Sequence, residues 1–428
     1  MSLTITLLLF GALLFGMPVA YVLGVTSVFM ILEIGGSSLF PLIPMRFFNS
    51  INLFPLMAMP LFILAGEIMN RAGITSRIID FSTRLVGHWR GGLAHANILA
   101  SILFAGLTGS AVADSAALGS MLIPGMAKKG YDKNFAAAVT AASSCIGPVI
   151  PPSIVMVIYG AFMQVSIAGL FAAGILPGLI MGATLMFFSH RISVKRQYPK
   201  EERRATLSEI GTDFKKAFLS LMMPVIILVG ILGGVFTPTE AAAVAVLYAL
   251  IIGFFVYRNI SLKDMYDMLC IMTKSSAIAF IILSTAGIFI WLLTTEQVPQ
   301  QIAELVLSIT TNKYLVLLII NIILLFVGCF MDSIPALIIL GPVFTPLATQ
   351  IGVHPLHFGT IMCLNLTIGL ATPPLGACLF TCCAVGGVKL EGISKEILPF
   401  IAALIIAVFV VTYIPAISLT IPRLLGLI

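Results

Sequence analysis

The chain has 428 residues, of which 23 are Lys or Arg and 17 are Asp or Glu, so only 9% of it is charged where soluble domains carry roughly 25%. Hydrophobic residues make up 60% and the mean hydropathy is +1.13. A soluble globule of this length could not cover its surface with so few charges, which excludes secreted disulfide scaffolds, disordered chains and nucleic-acid binders.

Crossing roughly 30 Å of hydrocarbon takes about 20 helical residues. Met1-Ser2-Leu3 runs into apolar sequence without a basic leader or a small-x-small cleavage pattern, so residues 3–29 read as a retained membrane helix. A second span is expected at 52–70. Ile74–Val86 places Ile74, Ile78, Ile79 and Leu85 on one side and Arg77, Asp80 and Arg84 on the other, the pattern of an interfacial helix. The stretch 91–127 is too long for one helix and carries a Gly and an Asp near its centre. Residues 134–165 can span but hold Gly and paired Pro mid-way. A span at 168–190 leads to the connector 191–216, where 12 of 26 residues are charged and partial helix is expected. Spans follow at 216–233, 238–257 and 273–294. Then come 314–348, built like 91–127, and 357–386, built like 134–165. A last span is expected at 397–420.

Basic residues set an orientation. The segments 71–90, 128–133, 191–216, 258–274 and 387–395 hold 20 of the 23 Lys and Arg, leaving Arg46, Lys313 and Arg423 elsewhere. With those segments cytoplasmic, both ends of 91–127 want the same side, so it reads as a re-entrant hairpin, and 314–348 as a second hairpin entered from outside. The expected fold is an all-α polytopic membrane protein of nine crossings and two hairpins, amino terminus inside and carboxyl terminus outside.

The two halves repeat. Ala113-Asp114-Ser115 matches Met331-Asp332-Ser333 at an offset of 218, which also takes Pro124 to Pro342. Downstream, Gly147-Pro148-Val149-Ile150-Pro151-Pro152 matches Gly369-Leu370-Ala371-Thr372-Pro373-Pro374 at 222, so four extra residues are expected in the connecting turn. The unpaired helix 216–233 between the halves inverts the second, which is the inverted-repeat plan of secondary transporters.

Proline at membrane depth leaves backbone groups unpaired, at several kcal/mol each unless something polar meets them. Carbonyls ending one half-helix suit Na⁺, and N–H groups opening the next suit a carboxylate. The first candidate ion cluster is Gly109, Ser110 and Asp114 with Ser143, Ser144 and Gly147. The second is Gly328, Asp332 and Ser333 with Thr367, Gly369 and Thr372. Substrate and helix-break candidates are Pro151, Pro152, Ser153, Asn365, Pro373 and Pro374. The competing reading is that small residues here only allow close helix packing. Asp114 and Asp332 could contact Na⁺, cap a half-helix or carry a proton. Glu67 ends a crossing near Arg71, and Glu240 reads as a cap after Phe236-Thr237-Pro238-Thr239. Five scattered His and seven Cys without CxxC spacing make no transition-metal set. No Walker loop, dinucleotide glycine pattern, GxSxG or HExxH occurs, so ATP hydrolysis in this chain is not expected.

Gly106-Leu107-Thr108-Gly109-Ser110-Ala111-Val112-Ala113-Asp114, Ile123-Pro124, Lys129-Gly130-Tyr131, Gly147–Ser153 and Ala371-Thr372-Pro373-Pro374-Leu375-Gly376 resemble the large membrane subunit of TRAP (tripartite ATP-independent periplasmic) transporters across essentially the whole chain. The resemblance implies a small four-helix membrane subunit as partner and a periplasmic binding protein that delivers an organic anion such as a C4-dicarboxylate, sialic acid or a 2-keto acid. It implies Na⁺ as the coupling ion and an elevator movement in the bacterial inner membrane. Residues 91–165 and 314–386 would form the moving transport domain. Residues 1–90 and 166–313 would form the scaffold and connector, and 387–428 the terminal helix. The chain opens on its first large-subunit helix, so the small subunit is expected as a separate chain. The main alternative is a stand-alone Na⁺ or H⁺ carboxylate symporter, and a more distant one is a membrane-embedded enzyme or assembly factor.

Overall fold

The computed structural model describes residues 9–428 apart from 10, 14 and 202, and among these the secondary structure is helical throughout. Part of the first expected span, up to residue 8 and at 10 and 14, lies outside the described residues. What is described is not one helix. A turn at Phe15-Gly16, with Gly16 at φ +75°, precedes Pro18, which caps Val19–Ile34. Proline has no N–H to continue an earlier helix, so the crossing starts later than its apolar run suggests. The next crossing is also modified: Gly36–Ile51 and Phe54–Arg71 form a pair bent by 61°.

Capping residues mark most of the other starts. Thr206 with Glu209, Thr237 with Glu240 and Ser261 with Asp264 form reciprocal capping boxes for Leu207–Leu232, Pro238–Ile251 and Leu262–Thr295. Glu240 therefore caps, as its spacing indicated. Six helices among the described residues are long and apolar enough to span alone. All but one fall on expected crossings; the exception, Ser333–Gln350, is an arm of the second hairpin. On Ile74–Val86 the buried face runs through Ile74, Ile78, Phe81 and Val86, with Ile79 and Leu85 only half-buried.

The hairpins are Gly92–Thr108 with Ala111–Lys128, and Lys313–Gly328 with Ser333–Gln350. The broken crossings are Lys133–Ser144 with Ile154–Met163, and Pro355–Gly369 with Ala377–Gly386; each gap holds a cis Pro-Pro bond, at 151–152 and at 373–374. One offset relates them all. Ala111 and Ser333, Lys133 and Pro355, and the two proline pairs each differ by 222 residues. The 218 offset is therefore corrected. Both outgoing hairpin arms have 18 residues and the turns after them, 129–132 and 351–354, are equal in length, with no insertion. Asp332 is the counterpart of Ser110, because both cap the outgoing arm, and Pro346 is the counterpart of Pro124. The Asp-Ser pairs had suggested otherwise by coincidence of type.

The two broken crossings share one buried core. Phe135, Ile146, Val149, Ile368, Cys378 and Phe400 belong to a single apolar cluster. A separate link joins the halves where the Tyr159 hydroxyl meets Thr345 Oγ1 at 3.1 Å.

Candidate functional site

Hairpin tips and helix breaks converge on a cavity of about 950 Å³. One wall holds Gly109, Ser110, Pro148, Asp332, Ser333 and Leu370. The facing wall comes from Ala58–Arg71, through Gly66 and Glu67, and from Leu262–Thr295, through Ser275 and Ala279. The charged lining side chains are Glu67 and Asp332, and no Lys, Arg or His lines the cavity among the described residues.

The first tip is a two-residue turn made possible by Gly109, at φ +60°, where an added Cβ would lie 2.9 Å from the Pro152 carbonyl. The tip is thus pressed onto the break. Ser110 accepts from the Ala113 N–H at 3.4 Å and caps the outgoing arm. Fully buried Asp114 receives a hydrogen bond from the Thr108 hydroxyl on Oδ1 and none on Oδ2, and the hydroxyl of buried Ser115 has no partner either. Gly147 lies against that free oxygen: a Cβ on it would be 2.1 Å from Oδ2. Ser153 caps the second half-helix, accepting from the Met156 N–H at 3.2 Å and donating to the Pro148 carbonyl. Pro151 and Pro152 are buried between these contacts.

Ser143 and Ser144 point elsewhere. Ser143 receives the Ser101 hydroxyl at 2.8 Å and contacts Asn97 Oδ1 at 3.4 Å, while Ser144 donates to the Thr140 carbonyl at 2.8 Å. The Ser143 hydroxyl ties the hairpin to the crossing, the Ser144 hydroxyl stays within its own helix, and neither bonds Asp114.

The second site is built differently. Asp332 accepts from the Ser333 N–H at 2.6 Å, which caps the arm, and its side chain is exposed to the cavity. Ser333 keeps a buried hydroxyl without a partner. Asn365 donates to Asn321 Oδ1 at 2.7 Å and to its own helix at Ile361, leaving its Oδ1 unpaired. Thr367 donates to the Cys363 and Leu364 carbonyls and Thr372 to the Ile368 carbonyl, all at 2.9 Å. The backbones of Gly328 and Gly369 touch, so these two residues do the close-packing work that small residues allow. Pro373 is half-buried and Pro374 exposed, unlike the buried first pair.

Thr108, Ser115, Asn97 and Asn321 were not singled out from the sequence. Asn97 and Asn321 carried a legible signal, a lone amide in an apolar helix, which in hydrocarbon seeks a partner. Asn97 donates to Thr140 Oγ1 at 2.7 Å and accepts from Ser143, and Asn321 accepts from Asn365, the residue 222 positions after Ser143.

Broken helices and hairpins around a mid-chain cavity define a helical membrane transporter. The fold is shared with solved transporters: the Alcanivorax borkumensis YdaH transporter at TM-score 0.63 and 15% identity, covering 99% of this chain and 98% of that one, and Neisseria gonorrhoeae MtrF at TM-score 0.59 and 13% identity, covering 91% and 85%. The family described as "Tripartite ATP-independent periplasmic transporter, DctM component" matches residues 6–417. The chain belongs to this family of large TRAP permease subunits. It is 41% identical to the sialic acid TRAP transporter large permease SiaM of Vibrio cholerae, over 97% of this chain and 96% of the relative. It is 41% identical to the C4-dicarboxylate large permease DctM of Pseudomonas aeruginosa, over 89% of each. It is 42% identical to the isethionate permease DctMQ of Oleidesulfovibrio alaskensis over 95% of this chain, which spans 64% of that longer protein. These relatives are permeases, and the chain is a transport subunit rather than an enzyme.

Proposed function

We propose that the chain is the large subunit of a Na⁺-coupled importer of an organic anion, fed by a periplasmic binding protein and supported by a small membrane subunit in the bacterial inner membrane. The observation that carries this reading is the cavity in which both hairpin tips and both breaks face two other helices. The hairpins and broken crossings move as one body, joined by their shared core, against a scaffold that includes Ala58–Arg71 and Leu262–Thr295. This elevator movement runs across two halves of inverted topology. The anion's partners are tip N–H groups, hydroxyls and bound Na⁺, since no cationic side chain lines the cavity. Candidate Na⁺ ligands are Asp114 Oδ2 with carbonyls near Gly147 at the first break, and Asp332, the Ser333 hydroxyl and carbonyls of Thr367–Thr372 at the second. A carboxylate or sulfonate, as the names of the relatives suggest, fits such donors.

The test is uptake of labelled sialic acid, a C4-dicarboxylate and isethionate into proteoliposomes holding the chain and a cognate small subunit. Uptake that needs both an inward Na⁺ gradient and the binding protein is expected. Uptake without the binding protein supports the stand-alone symporter instead, and uptake indifferent to Na⁺ defeats the coupling.

A further inference from the structure

Arg46 lies apart from the cavity and from the basic connectors. It sits half-buried on Leu42–Ile51 with its guanidinium carbon 5.1 Å from the Trp291 ring centroid. Its side chain makes no hydrogen bond or salt bridge to any described residue, and Nε is buried without a partner. A buried Nε without a partner among the described residues is costly, and an anion on the guanidinium would meet that cost. The backbone that carries it is fixed. Ser50 donates to the Arg46 carbonyl at 2.7 Å, and this helix packs so tightly on Leu262–Thr295 that a Cβ on Gly287 would lie 1.6 Å from the Ser50 hydroxyl.

An apolar groove of about 350 Å³ runs between Val19–Ile34 and Leu262–Thr295, lined by Tyr21, Val25, Val28, Phe29, Phe47 and Ile281. Thr285 also lines it, but its hydroxyl donates to the Ile281 and Ile282 carbonyls, at 3.0 and 3.1 Å, so it adds little polarity. Phe47 adjoins Arg46 in sequence. Thr285 precedes Trp291 by six residues, about 9 Å along a helix.

We propose that Arg46 and this groove bind one anionic glycerophospholipid, its phosphate on the guanidinium and an acyl chain along the groove. The guanidinium fork matches phosphate oxygens, and an Arg stacked with Trp suits the membrane interface. A free phosphate would satisfy Arg46 and leave the groove bare. A protein partner would have to bring an acid and an apolar face together, whereas lipid carries both in one molecule and already surrounds any membrane-facing groove.

Trp89 and Trp291 are the two tryptophans, so Trp89→Phe leaves Trp291 as a reporter at the site. The full chain, with whatever subunit copurifies, is placed in phosphatidylcholine nanodiscs containing brominated phosphatidylglycerol or brominated phosphatidylcholine. Brominated phosphatidylglycerol should quench Trp291 at a mole fraction roughly fivefold lower, the size of one Arg–anionic lipid contact. Arg46→Gln should erase that preference and Arg46→Lys should keep most of it, so the proposal stays testable if the Gln variant fails to fold. Equal quenching by the two lipids overturns the site. Absence of quenching means that protein covers the groove, and an equal response of Trp291 emission to inorganic phosphate alone means a free-anion site; either result also overturns it.

Discussion

Asp114 and Gly147 approach so closely that a methyl group on Gly147 would lie 2.1 Å from Asp114 Oδ2. That oxygen is buried, unpaired and aimed at the end of a half-helix, while the other oxygen is taken by Thr108. Of the acids singled out in the sequence, only this one combines complete burial with a free oxygen beside a break.

Asp114→Asn keeps the shape and an oxygen for Thr108 but removes the charge. If Na⁺ binds there, half-saturating Na⁺ for uptake should rise at least roughly tenfold, or about 1.4 kcal/mol. In detergent, wild-type protein should gain about 2.7 kcal/mol when Na⁺ reaches a hundred times its dissociation constant, and the variant should lose that gain while K⁺ affects neither. An Asn variant stabilised by Na⁺ like the wild type removes Asp114 from the ion site.

Asp332 has two jobs to separate. Its Oδ1 caps Ser333–Gln350 while the side chain faces the cavity. Asn caps about as well as Asp, so Asp332→Asn should leave the melting temperature nearly unchanged and weaken the Na⁺ response of uptake. Asp332→Ala should cost about 1 kcal/mol of stability as well. An Asn variant with a wild-type Na⁺ response would reduce Asp332 to a cap.

The hairpins were legible because their lengths exceed a single crossing and, for the first, because Arg90 and Lys128-Lys129 flank it. The breaks were legible from paired prolines. The register between halves was not, since an Asp-Ser pair is a short motif and the matching element is a helix start, filled by Ser110 in one half and Asp332 in the other. Leu42–Ile51 and Val298–Ile309 escaped notice because short interfacial helices lack both the length of a span and a dense charged face. For Ser143, Thr367 and Thr372, residue type was readable but side-chain direction was not. A Ser or Thr in an apolar helix satisfies its own backbone unless packing turns it away.

The orientation expected from the basic segments can be measured. Ser208 is exposed at the start of Leu207–Leu232, within the connector 191–216. Cys270, Cys329 and Cys383, the cysteines that are not fully buried, are first replaced by Ser. Ser208→Cys should then react with a membrane-impermeant maleimide in inverted vesicles and stay unlabelled in intact spheroplasts. Labelling from the outside would reverse the topology.

Two glycines at equivalent positions, Gly147 and Gly369, should respond differently to the same substitution. The methyl of Gly147→Ala meets the end of a side chain, which can rotate away at some cost to its ligand geometry. The methyl of Gly369→Ala would lie 2.3 Å from the carbonyl carbon of Gly328, and backbone held in a helix cannot yield in that way. Overpacking of a rigid contact costs about 1–3 kcal/mol or more. Gly369→Ala should therefore lower the melting temperature or prevent accumulation in the membrane, whereas Gly147→Ala should accumulate normally and lose Na⁺-stimulated uptake. Thermal unfolding followed by fluorescence-detected gel filtration, read beside uptake, distinguishes the two. If Gly147→Ala unfolds as readily as Gly369→Ala, Gly147 serves packing as Gly369 does, and its place in the proposed ion site is lost.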